Sequence, residues 1–189
     1  SALSGKERLL ASLFQSVTPR TAGFNTADLT ALSGVGQGLT IMLMLIGGSP
    51  GSTAGGMKTT TAAVLFANAI AVFQRRSEPH FFGRRIDNKA VCSASTVCFM
   101  YLTLFLGGGF VISAVEKLPL SACLFETASA VGTVGLSLGL TPSLGLLSQG
   151  ILIALMFIGR VGGLTLIYAA LSGFSKTASR LPQERITVG

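Results

Sequence analysis

Long apolar runs separated by short polar breaks extend along most of this chain. The uncharged runs occupy residues 29–57, 59–74, 90–115 and 137–159, and the last resumes after one arginine to reach residue 175. A helix needs roughly 18–20 apolar residues to cross a bilayer, and each run comes near or above that length except the second, which is slightly short. The pattern predicts an all-α membrane protein.

Two further apolar segments, at residues 5–16 and 119–130, are too short to span. Each leads into a glycine-containing turn and then into a long apolar run. A helix that enters a membrane partway and ends at a turn is a re-entrant pore helix. The non-helical backbone after it is tolerated only inside protein or beside water. We therefore predict two pore helices next to an aqueous pathway.

The turns after these segments have the composition of an ion-selective loop. Thr133-Val134-Gly135-Leu136 has the form of the loop in which potassium-selective pores replace an ion's water with backbone carbonyls. Gly135 can turn its carbonyl without a Cβ clash. Another turn of similar sequence, Thr-Ala-Gly-Phe at residues 21–24, strengthens this interpretation. The predicted ion-binding residues are Thr21, Ala22, Gly23, Phe24, Thr133, Val134, Gly135 and Leu136.

The two turns belong to an internal duplication. They lie 112 residues apart (133 − 21), and identities recur at that offset between Gln37-Gly38 and Gln149-Gly150, Leu43-Met44 and Leu155-Met156, and Ile46-Gly47 and Ile158-Gly159. Before each turn the register slips by one residue, so that Phe14-Gln15-Ser16 pairs with Phe125-Glu126-Thr127. Several identities at one spacing indicate a repeated unit: a short apolar segment, a turn and a long apolar segment.

The long segment of the first copy contains a break at residues 47–58, GGSPGSTAGGMK. Each interior Gly costs a helix about 1 kcal/mol and Pro about 3 kcal/mol, so we predict a broken helix that resumes at residue 59. Small polar residues and free carbonyls suit a flexible barrier on the ion path, and close helix packing through small residues is the alternative. The predicted gating residues are Gly47, Gly48, Ser49, Pro50, Gly51, Ser52, Thr53, Ala54, Gly55, Gly56, Lys58 and Arg160.

Lys58 and Arg160 are charges at membrane depth, where a charge is costly unless it faces water or a partner. Arg160 falls on the position of Gly48 under the offset, so we expect it to approach the break, hold its carbonyls and repel permeating cations. A snorkelling or packing arginine is the alternative. Glu126 is expected to form hydrogen bonds behind the second turn. The second copy has no insert like the break at residues 47–58. We therefore predict one helix over residues 141–171, interrupted only at 159–163.

Composition and charge agree with a membrane protein. Mean hydropathy is +0.66 and 11% of the residues are charged, against about 25% in soluble domains. The net charge of +7 is concentrated in two groups, Arg75, Arg76, Arg84, Arg85 and Lys89, and Lys176, Arg180 and Arg185. Because positive residues stay inside, both groups are expected on the cytoplasmic side, with Glu116 and Lys117 outside. We expect these residues to set orientation rather than to bind nucleic acid.

Other candidate chemistry is weak. The string GSTAGGMKTT resembles a phosphate-binding loop but misses the required spacing by one residue, because Met57 follows Gly56. Nucleotide binding there stays an alternative. Cys92, Cys98 and Cys123 are expected as small apolar core residues, and His80 as a solvated side chain. We expect a protein that is not an enzyme and has no covalently bound cofactor.

Together these motifs resemble the Trk/Ktr/HKT superfamily of potassium transporters, specifically the C-terminal half of a bacterial Ktr- or Trk-type membrane subunit. The matching segments are SVTPRTAGFNT (16–26), IGGSPGSTAGGMKTTT (46–61), ETASAVGTVGLSLG (126–139) and FIGRVGGLT (157–165). Family members have four helix–pore-loop–helix units around one pore, with pseudo-fourfold symmetry. The resemblance implies the third unit without its first helix at 1–74, a basic cytoplasmic loop at 75–89, a complete fourth unit at 90–175 and a cytoplasmic tail at 176–189.

The resemblance implies potassium uptake through a filter with an intramembrane gating loop, across a bacterial inner membrane that the chain crosses several times. Gly23 and Gly135 are then two of four filter glycines, and the carbonyls of Thr21, Ala22, Thr133 and Val134 are among the ligands of the potassium ion. Arg160 is the pore-facing arginine beside the gating loop. A sodium or sodium-coupled transporter and a non-transporting scaffold are the alternatives.

The resemblance also implies partners. Besides membrane lipid, these are the remaining N-terminal half of the pore, a second copy in a homodimer, and a cytoplasmic RCK-type subunit that the loop at 75–89 contacts. Nucleotide would bind only to that regulatory subunit. With two filter strands of four, this chain alone is not expected to close a pore.

Overall fold

Helices account for most of the described chain. The computed structural model describes residues 5–26, 28–76 and 78–162. The α-helices are α1 (Gly5–Val17), α2 (Gly34–Leu45), α3 (Thr59–Phe73), α4 (Asn88–Glu116), α5 (Leu120–Val131) and α6 (Leu146–Val161). The 3-10 turns Leu29–Ala31 and Thr141–Ser143 precede α2 and α6, and strands β1 (His80–Phe81) and β2 (Arg84–Arg85) pair between α3 and α4. The predicted helical class is confirmed.

The antiparallel hairpin corrects the all-α prediction at one place. Its turn consists of Phe82 and Gly83, whose φ angles are 47° and 73°. A tight two-residue hairpin turn needs positive φ at both positions, which Gly83 supplies without strain. Arg85 forms an ion pair with Glu78 at 2.9 Å across the base of the hairpin. Strands of two residues are too short to produce an alternating apolar pattern, so the hydrophobic pattern could not reveal them.

The helices are mostly shorter than the apolar runs that contain them. Among the described residues, α4 is the one helix long and apolar enough to cross a membrane, with 29 residues. Helices α2, α3 and α6 contain 12, 15 and 16 residues. Within the described residues, the apolar runs at 29–57 and 137–159 are only partly helical, and a 3-10 turn precedes the helix in each.

The internal duplication is visible in the backbone. The 3-10 turns begin at Leu29 and Thr141, and α2 and α6 begin at Gly34 and Leu146, so both pairs are 112 residues apart (141 − 29 and 146 − 34). The predicted helix of the second copy begins at Leu146 rather than at residue 141. It ends at Val161, before Gly162 with its φ of 84°, and the predicted continuation to residue 171 lies outside the described residues.

The short helices of the two copies differ in how far they are covered. Helix α5 packs against α4, α6 and α2, and eight of its 12 residues are buried. Helix α1 has no buried residue, and its apolar side chains Leu9, Leu10, Leu13, Phe14 and Val17 are 40–65% exposed. The second turn therefore follows a helix held inside the protein, whereas the first follows a helix with an uncovered apolar face.

The cysteine and histidine predictions are met only in part. All three cysteines are free; Cys123 is buried and Cys98 half-buried, but Cys92 is exposed near the start of α4. The expectation of a core position is wrong for Cys92. His80 is exposed as expected, and its ring contacts Arg76.

Candidate ion-binding site and its neighbouring loop

The structure brings the two predicted filter turns together. We call residues 21–24 the first turn and residues 133–136 the second turn. A Cβ atom built on Gly23 would lie 3.8 Å from the Cα of Gly135 and would overlap the carbonyl oxygen of Val134. Glycine is therefore required at position 23 for two reasons: it allows the close approach of the two turns, and it adopts a positive φ without strain.

Both turns have the same unusual backbone. In the first turn Thr21 and Gly23 have φ angles of 66° and 73°, and in the second turn Thr133 and Gly135 have φ angles of 51° and 90°. Positive φ in a threonine is strained by its Cβ, at a cost of about 1–3 kcal/mol, and such strain concentrates at functional sites. Residues of positive φ on either side of one of negative φ can direct successive carbonyls to one side of the chain, unlike the alternating carbonyls of a β-strand.

Three N–H groups of the second turn donate to α5. The N–H of Thr133 donates to the Ala130 carbonyl at 3.0 Å, and that of Val134 to the Ser129 carbonyl at 2.9 Å. The N–H of Gly135 donates to the Ser129 Oγ at 3.2 Å. The carbonyls of Thr133, Val134 and Gly135 accept no hydrogen bond from the described part of the chain, so they are available to another partner.

The first turn is anchored in a related way, with one difference. The N–H groups of Ala22 and Gly23 both donate to the Thr18 carbonyl at 3.1 Å. The Thr18 hydroxyl, however, donates to the Phe24 carbonyl at 2.7 Å. The Phe24 carbonyl therefore accepts a hydrogen bond at the end of α1, and its place among the ion-binding residues stays a prediction.

The break between α2 and α3 forms a closed loop, which we call the central loop (47–57). Its base is closed by hydrogen bonds from the Gly47 N–H to the Met57 carbonyl at 2.7 Å, and from the Met57 N–H to the Leu45 carbonyl at 3.3 Å. Ile46 and Met57 form a β-bridge. The predicted broken helix is confirmed. Because Ile46 and Met57 are paired, the end of α2 and the start of α3 lie close together.

The central loop meets the second turn through glycine backbones. The Gly55 N–H donates to the Thr133 Oγ1 at 3.1 Å, and the Gly56 N–H donates to the Gly159 carbonyl at 3.4 Å. A Cβ on Gly55 would lie 2.7 Å from the Thr133 Cγ2, and one on Gly56 would lie 3.2 Å from the Cα of Gly132. We call Gly55, Gly56, Gly132 and Gly159 the glycine junction, since side chains there would separate the loop from the turn.

Two cations hold the outer part of the central loop. The Arg160 guanidinium donates to the Thr53 carbonyl at 2.5 Å. The Lys58 ammonium donates to the Ser52 carbonyl at 3.4 Å and also to that of Ala54. The three successive carbonyls of residues 52–54 thus accept hydrogen bonds from two cations, Lys58 of the first copy and Arg160 of the second. The predicted approach of Arg160 to the break is confirmed, while its role in gating stays a prediction.

Arg160 lies between the central loop and the second turn. It lines a groove of ≈ 450 Å³ with the loop and the end of α6. It also lines a second groove of ≈ 340 Å³ with Ser129, Thr133, Gly135 and Met156. An ion leaving the second turn on this side would therefore meet a fixed positive charge.

Sequence reasoning missed several residues that build this site. Thr18 and Ser129 anchor the turns, and Gly132 and Gly159 form the glycine junction. The duplication was a usable signal for Thr18 and Ser129, which pair under the slipped register. The nucleotide alternative is weakened, because the Lys58 ammonium binds carbonyls of its own loop and a helix, rather than a strand, precedes the string.

Comparison with known proteins gives consistent matches. A model of the family described as "TrkH: Cation transport protein" matches residues 1–178. The chain is 42% identical to the potassium/sodium uptake protein NtpJ of Enterococcus hirae, over 97% of this chain and 42% of that protein. It is 39% identical to the Ktr system potassium uptake protein B of Bacillus subtilis, over 97% of this chain and 41% of that protein.

The fold matches a solved structure as well. The crystal structure of the potassium transporter TrkH from Vibrio parahaemolyticus superposes with a TM-score of 0.75 at 22% identity, covering 89% of this chain and 38% of that one. The chain spans about two fifths of the length of the curated relatives it matches.

Proposed function

The chain belongs to the TrkH family of cation transport proteins, which are not enzymes, and we propose that it supplies two of the four filter strands of a potassium uptake pore. The observation that carries this proposal is the contact between Gly23 and Val134, which joins two turns of the same positive-φ pattern. Carbonyls of Thr21, Ala22, Thr133 and Val134 would replace the hydration shell of K⁺, and no covalent step is needed.

Two further units complete this pore with pseudo-fourfold symmetry. Helix α1 exposes its apolar face, and the Gln15 amide and Thr21 Oγ1 are buried without a hydrogen-bond partner among the described residues. Buried polar atoms normally have a partner. In the second copy the equivalent Thr133 Oγ1 accepts from the central loop of the preceding unit. Thr21 would accept in the same way from the unit before it, in the N-terminal half of the pore.

The central loop serves as the gate of this pore. It contacts the second turn through Gly55 and is fixed by Lys58 and Arg160. The loop and Arg160 line a groove, and Arg160 also lines the groove beside the second turn; an ion that leaves the filter on this side would pass through them. Opening would break the hydrogen bonds of Gly55, Gly56 and Thr53 and move the loop aside while its base at Ile46 and Met57 stays closed.

The membrane placement follows from charge. The basic hairpin between α3 and α4 lies on the cytoplasmic side of a bacterial inner membrane, and the end of α4 at Glu116 lies outside. The hairpin is the proposed contact for a cytoplasmic RCK-type subunit, which would bring nucleotide control to a homodimer of the complete transporter. Sodium uptake is the second candidate function, favoured by the similarity to a potassium/sodium uptake protein.

Ion uptake by the complete transporter tests the proposal. Vesicles containing the unaltered protein should take up K⁺ in preference to Na⁺, and Gly135→Ser should lower both the K⁺ rate and that preference. An unchanged preference in Gly135→Ser would refute the filter assignment. Equal or faster Na⁺ uptake by the unaltered protein would support the sodium alternative, and absence of any flux would support a scaffold.

A further inference from the structure

Glu126 is a buried carboxylate of α5 that the proposed ion path does not use. Its side chain is 5% exposed. Three donors surround it: the Ser137 hydroxyl at 2.7 Å and the Leu138 N–H at 2.9 Å donate to Oε1, and the Thr141 hydroxyl at 2.9 Å donates to Oε2. A buried charge is costly unless hydrogen bonds compensate it, and these bonds do so.

All three donors lie in the segment through which the chain leaves the second turn. One helical turn from Glu126, the Ser129 Oγ accepts from the Gly135 N–H at 3.2 Å. Residues three apart share a helix face. This face of α5 therefore binds Gly135 through Ser129, and it binds residues 137–141 through Glu126. The buried Leu136 lies between these two attachments along the chain.

No equivalent of this attachment is found among the described residues of the first copy. Gln15 occupies the position of Glu126 under the slipped register, and its amide nitrogen and oxygen have no partner among the described residues. Thr18 occupies the position of Ser129 and binds the Phe24 carbonyl instead. The carboxylate attachment therefore belongs to the second turn and is not a general feature of the repeated unit.

We propose that Glu126 is a positioning residue for ion selectivity, which holds the outer end of the second turn in place. The inference rests on the proposed function. Discrimination between K⁺ and Na⁺ depends on the positions and number of carbonyls around the ion. When the segment after Gly135 is detached from α5, these carbonyls can close around a smaller ion, so Na⁺ is rejected less strongly.

Two substitutions separate the hydrogen bonds from the charge. Glu126→Ala leaves three donors without their acceptor, and we expect the ratio of K⁺ to Na⁺ uptake to fall by about tenfold. In Glu126→Gln the amide oxygen can still accept from Ser137 and Leu138, and the amide nitrogen can donate to the Thr141 oxygen. We expect this variant to keep the ratio within about twofold of the unaltered value.

Glu116 provides the matched control. Its carboxylate also accepts two hydrogen bonds, from the Gly145 N–H at 2.9 Å and the Ser148 hydroxyl at 2.6 Å, but these lie at the start of α6. Glu116→Ala should lower the amount of folded transporter without changing the uptake ratio. Thr141→Val removes a single donor to Glu126 and should lower the ratio less than Glu126→Ala does.

The measurement is the uptake of ⁸⁶Rb⁺, as a tracer for K⁺, and of ²²Na⁺ by vesicles, divided by the amount of transporter. An unchanged ratio in Glu126→Ala, or an equal fall in Glu116→Ala, would overturn the inference. Should Glu126→Ala fail to reach the membrane, an unchanged ratio in Thr141→Val would overturn it instead. Absence of K⁺ uptake by the unaltered protein would refute the proposed function, and the two failures are thereby distinguished.

Discussion

The N–H of Gly55 donates a hydrogen bond of 3.1 Å to the hydroxyl of Thr133, a residue 78 positions further along the chain. This bond joins the central loop, which belongs to the first copy, to the second turn, which belongs to the second copy. The two features that the sequence suggests as gate and filter are therefore in direct contact, and displacement of one changes the surroundings of the other.

We expect Gly55→Ala to move the central loop away from the second turn. The added Cβ would lie 2.7 Å from the Thr133 Cγ2, and separation would leave the Gly55 N–H unpaired at a cost of about 1–3 kcal/mol. Resting K⁺ flux should rise by about fivefold or more. Gly38→Ala is the control, because its Cβ would meet nothing within 4 Å. Equal flux in Gly55→Ala and the unaltered transporter would contradict a gating role for the loop.

Removal of the Arg160 side chain should also increase flux. Arg160→Ala frees the Thr53 carbonyl and takes a positive charge from the groove beside the second turn. Because this side chain is exposed, we expect a loss of only about 1 kcal/mol of loop stability and a rise of about fivefold in K⁺ uptake.

Two variants control for the charge of Arg160. Arg160→Lys keeps the charge and should give an intermediate rise, since lysine lacks the planar fork of arginine. Arg84→Ala changes the net charge equally but lies in the hairpin, and it should leave the uptake of the isolated transporter unchanged. Similar flux in Arg160→Ala and Arg84→Ala would argue against a blocking charge at Arg160.

The two filter glycines should differ in their tolerance of alanine. Both have positive φ, which costs alanine about 1–2 kcal/mol at either position. At Gly23 the added Cβ would also overlap the Val134 carbonyl oxygen, whereas at Gly135 it would meet nothing within 4 Å. We expect Gly23→Ala to abolish K⁺ uptake and Gly135→Ala to retain a reduced rate. The opposite order would mean that the two turns are not in contact.

Labelling of single cysteines tests the membrane orientation. In a transporter without its native cysteines, Arg84→Cys should react with a membrane-impermeant thiol reagent from the cytoplasmic side only. Lys117→Cys, beyond the far end of α4, should react from the outside only. Labelling of both positions from the same side would contradict the proposed topology.

The features that depend on a local pattern are predictable from the sequence. The break after α2 follows from the dense Gly and Pro of residues 47–58, and α4 follows from its long uncharged run. The duplication supplies the long-range step, because the 112-residue offset predicts Arg160 beside the break and its guanidinium binds the Thr53 carbonyl there. The filter, gate and partner assignments remain proposals.

Other features were beyond sequence reasoning for physical reasons. The 3-10 turn Thr141–Ser143 contains Pro142, which suits the first turn of a long helix as well as a short turn, so the sequence alone does not distinguish the two. The engagement of the Phe24 carbonyl by Thr18 depends on the angle at which α1 ends. The glycines of the glycine junction contribute only main-chain atoms to its contacts, so they leave no pattern of side chains in the sequence.

The glycine junction would also limit how the proposed cytoplasmic partner could act. Glycine main chains meet there, so no rotamer change within those four residues can release the loop. We expect control to arrive as a small displacement of whole helices, through α3 from the hairpin or through the end of α6. A regulator would then alter pore opening by displacing α3 or α6 as a rigid body, with no side-chain rearrangement at the glycine junction itself.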